Sequence, residues 1–236
     1  MKYSGIRVLL AAPLRQSVGV FREYQDALDR LIIPDGVTVD RFFVVNDCPE
    51  VIPEIRGGYI VMDTGDVYAK AENDHIWTSD NLDKMPRLRN ACIQRVREGG
   101  YDYLFSVDTD LILQPETLTT LLDADKDIVS EIFWTNGWCN AWLWDQYDGA
   151  NPNWANPGLY QCGMTGALTL MKAEVFRAGV DYSPIPNLRK LWGEDRFFCI
   201  RAACYGFEMW VDSHCPAEHL YSEQHYQEFM RRRGNG

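Results

Sequence analysis

Apolar residues in the first half of the chain form short, nearly continuous runs separated by longer segments with helical spacing. The runs at 6–12, 39–45 and 103–107 hardly alternate between apolar and polar side chains, which is typical of buried strands in a parallel sheet. Helical spacing follows the first run, after a possible N-cap at Ser17, and returns over 84–100. Strands that alternate with helices predict an α/β fold with a mostly parallel sheet.

Polar side chains follow the predicted strands where each strand ends. Arg15 comes after the first strand, Asp47 after the second, and Asp108 and Asp110 after the third. Open α/β sheets bind ligands beyond the carboxyl ends of their strands. We therefore expect these residues to lie along one ligand-binding edge.

The pair Asp108 and Asp110 is the strongest chemical signal in the chain. If the strand continues through them, two residues that are two apart point to the same face. Carboxylates placed side by side repel each other, and a hard divalent cation with phosphate oxygens would resolve that repulsion. The alternative is two solvated or helix-capping aspartates at the end of a strand.

Arg89 lies close to the centre of the apolar stripe of the helix predicted over 84–100. An arginine on a buried helix face needs an anionic partner. The sequence leaves two alternatives open, a structural ion pair with one of the chain's own acids or a contact to a ligand diphosphate.

The segment 134–160 is rich in aromatic residues and shows neither strand nor helix periodicity. We interpret it as a wall that faces a ligand, because aromatic faces stack on sugars and bases. The alternative is an irregular insert that folds around its own tryptophans. The rings are Trp134, Trp138, Trp142, Trp144, Tyr147, Trp154 and Tyr160.

Further candidate chemistry lies near the end of the chain. Glu194 and Asp195 begin a predicted helix, where acids are favoured by the helix dipole and where a well-held carboxylate can serve as a general base. His214 and His219 follow the last predicted strand, and either imidazole could reach a metal. Residues 222–236 are expected to form a tail, with a disordered basic end at Arg231-Arg232-Arg233.

Bulk properties narrow the class of protein. The chain has 236 residues, which suits a single domain, and a net charge of −11, which argues against general nucleic-acid binding. No apolar stretch approaches the roughly 18–20 residues of a membrane span. Seven scattered cysteines without a C-x-x-C pair indicate reduced thiols, so we expect a cytoplasmic protein.

Taken in order, these motifs resemble those of GT-A glycosyltransferases, close to the family-2-like group. The resemblance spans about 6–220 and depends on Arg89-Asn90, Asp108-Thr109-Asp110, the small residues at 163–167, Gly193-Glu194-Asp195 and His219-Leu220-Tyr221. It implies a GT-A fold, a Rossmann-like mixed sheet flanked by helices. Residues 1–133 would be the half that binds the nucleotide sugar, and 134–221 the half that binds the acceptor.

The resemblance also implies roles for individual residues. Asp108 and Asp110, with His219 preferred over His214, would hold Mn²⁺ or Mg²⁺ on the diphosphate of a nucleotide-diphosphate sugar. Asp47 would contact the base, and Arg15 and Arg89 the base or diphosphate. Asp195, supported by Glu194, would deprotonate an acceptor hydroxyl, most simply on a saccharide.

The predicted function is therefore a metal-dependent, hexosyltransferase-like glycosyltransferase, with inversion favoured over retention. The motif Asn46-Asp47-Cys48-Pro49 departs from the Asp-Asp pattern often seen in family-2 enzymes, and some retaining GT-A groups share the D-x-D and the late histidine. Two other functions stay open, a sugar nucleotidyltransferase and a non-catalytic carbohydrate-binding protein. The first would be expected to have a glycine-rich loop after the first strand, where this chain has Pro13-Leu14-Arg15-Gln16.

Overall fold

A computed structural model describes residues 2–65, 79–143, 152–188 and 193–234. Two rings of the aromatic segment, Trp144 and Tyr147, lie outside the described residues. The described chain contains one large sheet with helices on both faces, and a small two-stranded sheet beside it.

The large sheet has a mixed strand order, β3-β2-β1-β4-β11-β6-β12-β5, with β7 paired to β6 and β9 to β12. Pairing is parallel from β3 through β4 and between β6 and β12, whereas β11 runs antiparallel to both β4 and β6. The strands are β1 (Ile6–Leu14), β2 (Val37–Val45), β3 (Gly58–Val61), β4 (Tyr103–Val107), β5 (Leu111–Ile112), β6 (Ile128–Thr135), β7 (Trp138–Cys139), β8 (Ala141–Trp142), β9 (Leu159–Cys162), β10 (Met164–Thr165), β11 (Leu168–Lys172) and β12 (Met209–His219).

Helices cover the sheet and begin where the sequence supplies caps. The N-cap Ser17 accepts a hydrogen bond from the backbone of Val20, which confirms the predicted start of the first helix. The helices are α1 (Val18–Asp29), α2 (Ser79–Gly99), α3 (Thr117–Asp123), α4 (Ala173–Arg177), α5 (Glu194–Cys204) and α6 (Glu223–Gly234).

The core consists of one cluster on each face of the sheet. Helix α2 packs on one face through Leu88, Ile93 and Val96, and α1 packs on the other through Phe21 and Tyr24. The fully buried central strands explain why their sequence shows little alternation. The predicted α/β class with a mixed sheet is confirmed.

One predicted boundary was wrong. Strand β1 does not end with the apolar run at 6–12 but continues to Leu14, because its pairing with β4 stops at Ala11 and Pro13 is paired only with β2. Helix α3 begins at Thr117, two residues after Pro115, whose carbonyl accepts a hydrogen bond from the backbone of Ile32.

The predicted disordered tail was also wrong. Residues Glu223–Gly234 form helix α6, whose Tyr226 and Phe229 pack against a small apolar cluster beside α1 and β5. Ion pairs from Arg232 to Glu218 and from Arg233 to Glu23 fix this helix to the domain. The aromatic residues are three apart, which places them on one helix face.

No helix among the described residues is long and apolar enough to cross a membrane. All seven cysteines are free thiols, and six of them are buried.

Candidate active site

The candidate site lies at one edge of the large sheet. Strands β1, β2, β4, β6 and β12 all point the same way, so their carboxyl ends meet at this edge. The predicted residues Arg15, Asp47, Asp108 and His219 stand at or just beyond these ends. The N-terminus of α5, with Glu194 and Asp195, reaches the same edge, because Asp195 lies against Gly166 just before β11.

Asp108 and Asp110 lie in a turn rather than in a strand. Strand β4 ends at Val107, and the backbone of Leu111 then donates to the Asp108 carbonyl at 3.2 Å. The Asp108 backbone donates to the carbonyl of Ala167 at 2.9 Å, which fixes the turn against the start of β11. The premise of a strand continuing through both aspartates was therefore wrong, although both carboxylates still line the same pocket.

Arg89 connects two of the acidic motifs. It is only 3% exposed, and its Nε donates to Glu194 Oε1 at 2.6 Å. Its Nη1 and Nη2 lie 3.0 and 3.2 Å from the two oxygens of Asp108. The sequence left two alternatives open for Arg89, and this geometry corresponds to the first, an ion pair with the chain's own acids. A fork-shaped guanidinium suits such a double contact.

Asp195 is held close to the small residues before β11. A Cβ at Gly166 would lie 2.2 Å from Asp195 Oδ2, so only glycine leaves room for this carboxylate. Burial raises the pKa of Asp195 to about 8; Arg89 lowers the pKa, while Glu194 and Asp108 raise it. Burial also raises the pKa of Asp108, with Arg89 again opposing. A carboxyl group with such a pKa can exchange a proton near neutral pH.

His219 and Asp110 form a second polar contact at this edge. Nε2 of His219 lies 3.3 Å from Asp110 Oδ2, and the backbone of Leu220 donates to the Asp110 carbonyl at 2.8 Å. Nδ1 of His219 lies 2.7 Å from the hydroxyl of Thr135, which fixes the ring. His214 instead bonds through Nδ1 to Asp212, outside the pocket lining.

The donor atoms of Asp110 and His219 fit a divalent cation. Two atoms bound at about 2.1 Å to one ion lie roughly 3 Å apart, close to the observed 3.3 Å. The Thr135 hydroxyl on the other ring nitrogen is the kind of outer contact that orients a histidine ligand. Within the described ranges, no three His, Cys, Asp or Glu side chains converge on a complete metal site. A site with only these two protein ligands suits Mg²⁺ or Mn²⁺, because substrate phosphates can supply the remaining oxygens.

Asp47 organises the loop after β3. Its carboxylate accepts from the backbone of Thr64 at 3.0 Å and of Gly65 at 3.2 Å, and from the Thr64 hydroxyl at 2.6 Å. Burial raises the pKa of this carboxyl, but these hydrogen bonds and nearby Arg15 outweigh it and hold the pKa below its usual value. Both Asp47 carboxylate oxygens thus accept hydrogen bonds from within the protein.

A pocket of about 360 Å³ lies between these groups. It combines carboxylates, an imidazole, an amide and several aromatic rings, a mixture typical of small-molecule sites. Its lining is Asp108, Asp110, Leu111, Phe133, Thr135, Trp138, Cys139, Asn140, Trp142, Gly166, Ala167, Asp195, His219 and Tyr221.

The aromatic segment is divided between pocket and core. Trp138 and Trp142 line the pocket, and Trp138 is 51% exposed. Trp154 is only 1% exposed and belongs to the core cluster under α2, so its assignment to a ligand-facing wall was wrong.

Thr135 and Asn140 were missed from the sequence. The Asn140 amide accepts from the backbone of Phe133 and donates to the carbonyls of Glu131 and Gly166, so it ties β6 to the turn before β11. Asn136-Gly137 after a strand is a hairpin signal that would have located both residues.

No protein-family model matches this chain. Among solved structures, it is similar to S. aureus TarS 1–349, with 14% identity, a TM-score of 0.55, and coverage of 96% of this chain and 64% of that one. It is also similar to GalNAc-T7 bound to UDP, GalNAc and Mn²⁺, with 11% identity, a TM-score of 0.61, and coverage of 92% and 44%. The chain thus spans less than two thirds of the length of these glycosyltransferase structures.

A third similar structure is CMP:2-keto-3-deoxy-manno-octonic acid synthetase complexed with CTP. Here the identity is 12% and the TM-score 0.54, with coverage of 97% of this chain and 99% of that one. Identities this low establish the fold alone. The chain has the GT-A-type α/β fold of nucleotide-sugar transferases.

Proposed function

We propose that this chain is a metal-dependent glycosyltransferase that moves a sugar from a nucleotide-diphosphate sugar to an acceptor hydroxyl. One observation carries the proposal: Asp110 and His219 lie 3.3 Å apart at the sheet edge, in a pocket that Asp108 and Asp195 also line. A binding module would need neither a metal-competent pair nor a buried carboxyl group that titrates near neutral pH.

Asp110 and His219 would hold Mn²⁺ or Mg²⁺, with Asp108 beside them. The cation, when bound, would neutralise the charge that develops on the leaving nucleoside diphosphate. Thr135 would keep the His219 ring oriented through Nδ1. Arg15 and Asp47, at the ends of β1 and β2, would form the nucleoside end of the donor site.

Asp195 would accept the proton of the acceptor hydroxyl in an inverting transfer. Its burial against Gly166 holds the carboxylate still, and its raised pKa makes it a stronger base than an ordinary aspartate. Glu194 would support it by holding Arg89, whose second contact positions Asp108. In this proposal Arg89 acts on the donor through Asp108. This indirect role replaces the direct contact to the base or diphosphate that the resemblance suggests.

The second candidate is a sugar nucleotidyltransferase, which would join a nucleoside triphosphate to a sugar and release pyrophosphate. It is favoured by the similarity to the CTP-bound synthetase, which covers nearly the whole of both chains. Against it, the loop after β1 begins with Arg15-Gln16 and has no glycines to cradle a triphosphate.

Product analysis separates the two candidates. The chain is incubated with Mn²⁺ and either a panel of UDP- and GDP-sugars mixed with saccharide acceptors or a panel of nucleoside triphosphates with free sugars. We expect nucleoside diphosphate from one member of the first panel, with none when EDTA is added. Release of pyrophosphate from the second panel, and no nucleoside diphosphate from the first, would show that the chain is a nucleotidyltransferase.

A further inference from the structure

The aromatic side of the pocket is built on a tight β-hairpin. Strands β6 and β7 are joined by Asn136 and Gly137, whose φ angles are +49° and +86°. Two residues with positive φ form the hairpin turn that matches the twist of paired strands, and Asn-Gly is the preferred pair. The hairpin is therefore a fixed element rather than a loose loop.

This hairpin places Trp138 on the pocket side. Trp138 is the antiparallel partner of Thr135, and residues directly opposite in such a pair point to the same face. Thr135 points into the pocket, where its hydroxyl contacts His219. Trp138 lines the same pocket and keeps 51% of its surface exposed. Trp134 lies on the same hairpin but outside the pocket lining.

Trp138 lies far from the nucleoside end of the site. Strand β6 is three positions from β1 in the sheet, and neighbouring strands lie about 4.8 Å apart, which gives a separation of roughly 14 Å. Asp108 and Asp110 follow β4, between these two positions. A ligand whose nucleoside lies by Arg15 and whose diphosphate lies by Asp110 would therefore present its sugar end, or the acceptor, near Trp138.

We propose that Trp138 is a platform on which a saccharide ring stacks during transfer. A sugar has an apolar C–H face and a polar rim, and this part of the pocket offers both kinds of partner. The indole supplies the apolar surface, while Asp195 and Tyr221, which line the same pocket, supply polar groups. This inference rests on the proposed function and deepens it, because it names the class of molecule bound beside Asp195.

The saccharide could be the sugar of the donor or the acceptor, and two binding measurements distinguish these sources. The first compares the affinity of a nucleotide sugar with that of the matching nucleoside diphosphate, both with Mn²⁺, by calorimetry over UDP and GDP pairs. The second measures binding of the full chain to an array of oligosaccharides. Both are made on wild type, Trp138→Ala and Trp138→Phe, with Trp134→Ala as the matched control on the same hairpin.

We expect Trp138→Ala to weaken saccharide binding about 30-fold, the equivalent of about 2 kcal/mol for a central tryptophan contact. Trp138→Phe should recover part of the affinity because a ring face remains, and Trp134→Ala should change it little. A loss confined to the nucleotide-sugar increment identifies the donor sugar, and a loss confined to the array identifies the acceptor. Thermal unfolding of each variant checks that the fold is intact.

Three outcomes would overturn the platform: unchanged saccharide binding in Trp138→Ala, equal losses in Trp138→Ala and Trp134→Ala, or a wild type that binds nucleoside diphosphates but no saccharide in either assay. None of these would contradict nucleotide binding at Asp110. Absence of metal-dependent nucleotide binding with the array signal retained would instead contradict the proposed function and leave the platform standing.

Discussion

Two clusters of buried or partly buried carboxyl groups in the described part of the chain differ in whether an arginine accompanies them. The pocket carboxylates, Asp108, Glu194 and Asp195, lie around the guanidinium of Arg89. The sheet carboxylates, Glu131 and Asp212, lie opposite each other on β6 and β12. Among the described residues, neither sheet carboxylate forms an ion pair with a lysine or arginine.

Glu131 shows what burial does without a cation. The residue is fully buried, and burial together with the neighbouring Asp212 raises its pKa to about 9. Its Oε1 accepts from the backbone of Cys215 at 3.2 Å and of Ile132 at 3.3 Å. These hydrogen bonds oppose the shift only in part, so Glu131 is a neutral acid at pH 7.

The comparison indicates how the pocket keeps acids that can carry charge. Arg89 opposes the raised pKa of both Asp108 and Asp195, and Asp195, with a pKa of about 8, can lose a proton near neutral pH. Glu131 has no such partner and contributes to the fold as a protonated group. Burial without an arginine thus keeps Glu131 protonated at neutral pH, whereas Arg89 lowers the pKa of the Asp195 carboxyl toward neutral pH.

The largest difference between the two clusters should appear when a carboxylate in each is changed to an amide and the effect on kcat is compared. We expect Asp195→Asn to lower kcat by about 10² to 10⁴, the range for loss of a general base, and Glu131→Gln to leave kcat almost unchanged. In wild type, kcat/KM should rise with pH toward about 8, because the base is active only when deprotonated. Steady-state kinetics over pH 6–9 measure both; an Asp195→Asn variant with more than a tenth of wild-type kcat would reject the inverting role.

The next largest effect should follow removal of the Arg89 guanidinium. Arg89→Met leaves the buried Glu194 without its partner and removes the cation beside the partly exposed Asp108, so we expect the free energy of unfolding to fall by about 3–5 kcal/mol. Urea denaturation measures this change. The control is Arg177→Met, which removes an exposed ion pair with Glu174 and should cost less than about 1 kcal/mol. Equal free energies of unfolding for the two variants would show that Arg89 does not stabilise the fold by neutralising Glu194 and Asp108.

A smaller effect concerns the pH dependence of stability. Because the pKa of Glu131 is raised on folding, its stabilising contribution is present below about pH 4.5 and is lost as the pH rises toward 9. Glu131→Gln keeps a donor toward Asp212 and has no charge to bury. We expect the variant to gain on wild type by up to about 1.4 kcal/mol per pH unit between pH 5 and 8.

Urea unfolding at several pH values gives this difference, with the exposed Glu174→Gln as control. Other titrating groups are common to both proteins and cancel in the comparison. A difference between Glu131→Gln and wild type that stays constant across the pH range would mean that Glu131 is ionised in the folded protein.

The smallest effect should come from the hydroxyl behind His219. Thr135→Val removes the partner of Nδ1 and frees the ring to rotate, so we expect Mn²⁺ affinity to fall 10- to 100-fold. Titration of Mn²⁺ at fixed nucleotide measures it. Thr38→Val, at an exposed hydroxyl far from the pocket, should leave the affinity unchanged; a matching loss there would indicate a general effect on the fold.

The regular half of the fold could be predicted from the sequence. Strands such as Tyr103–Val107 are buried on both faces over most of their length, and the Ser17 cap marks the start of α1, so local pattern and tertiary structure agree. The irregular half could not. Trp154 is buried by long-range packing rather than by any local period, and the α6 arginines are ordered by acids distant in sequence.

The site was predictable in its residue types and less so in its contacts. The order of acids and the late histidine pointed to Asp110 and His219, which the structure brings together. The double contact of Arg89 depends on Glu194, 105 residues away, and no short-range pattern encodes it. Thr135 was missed for the same reason, since its importance comes from a ring 84 residues later.

The central claim is a metal-dependent nucleotide site at the Asp110 and His219 pair. Calorimetric titration of UDP and GDP into the chain, with Mn²⁺ and then with EDTA, tests it most directly. The account predicts that one nucleotide binds with Mn²⁺, that EDTA abolishes binding, and that Asp110→Ala loses it while the exposed Asp35→Ala keeps it. Binding that is equally strong with EDTA, or unchanged in Asp110→Ala, would contradict the account.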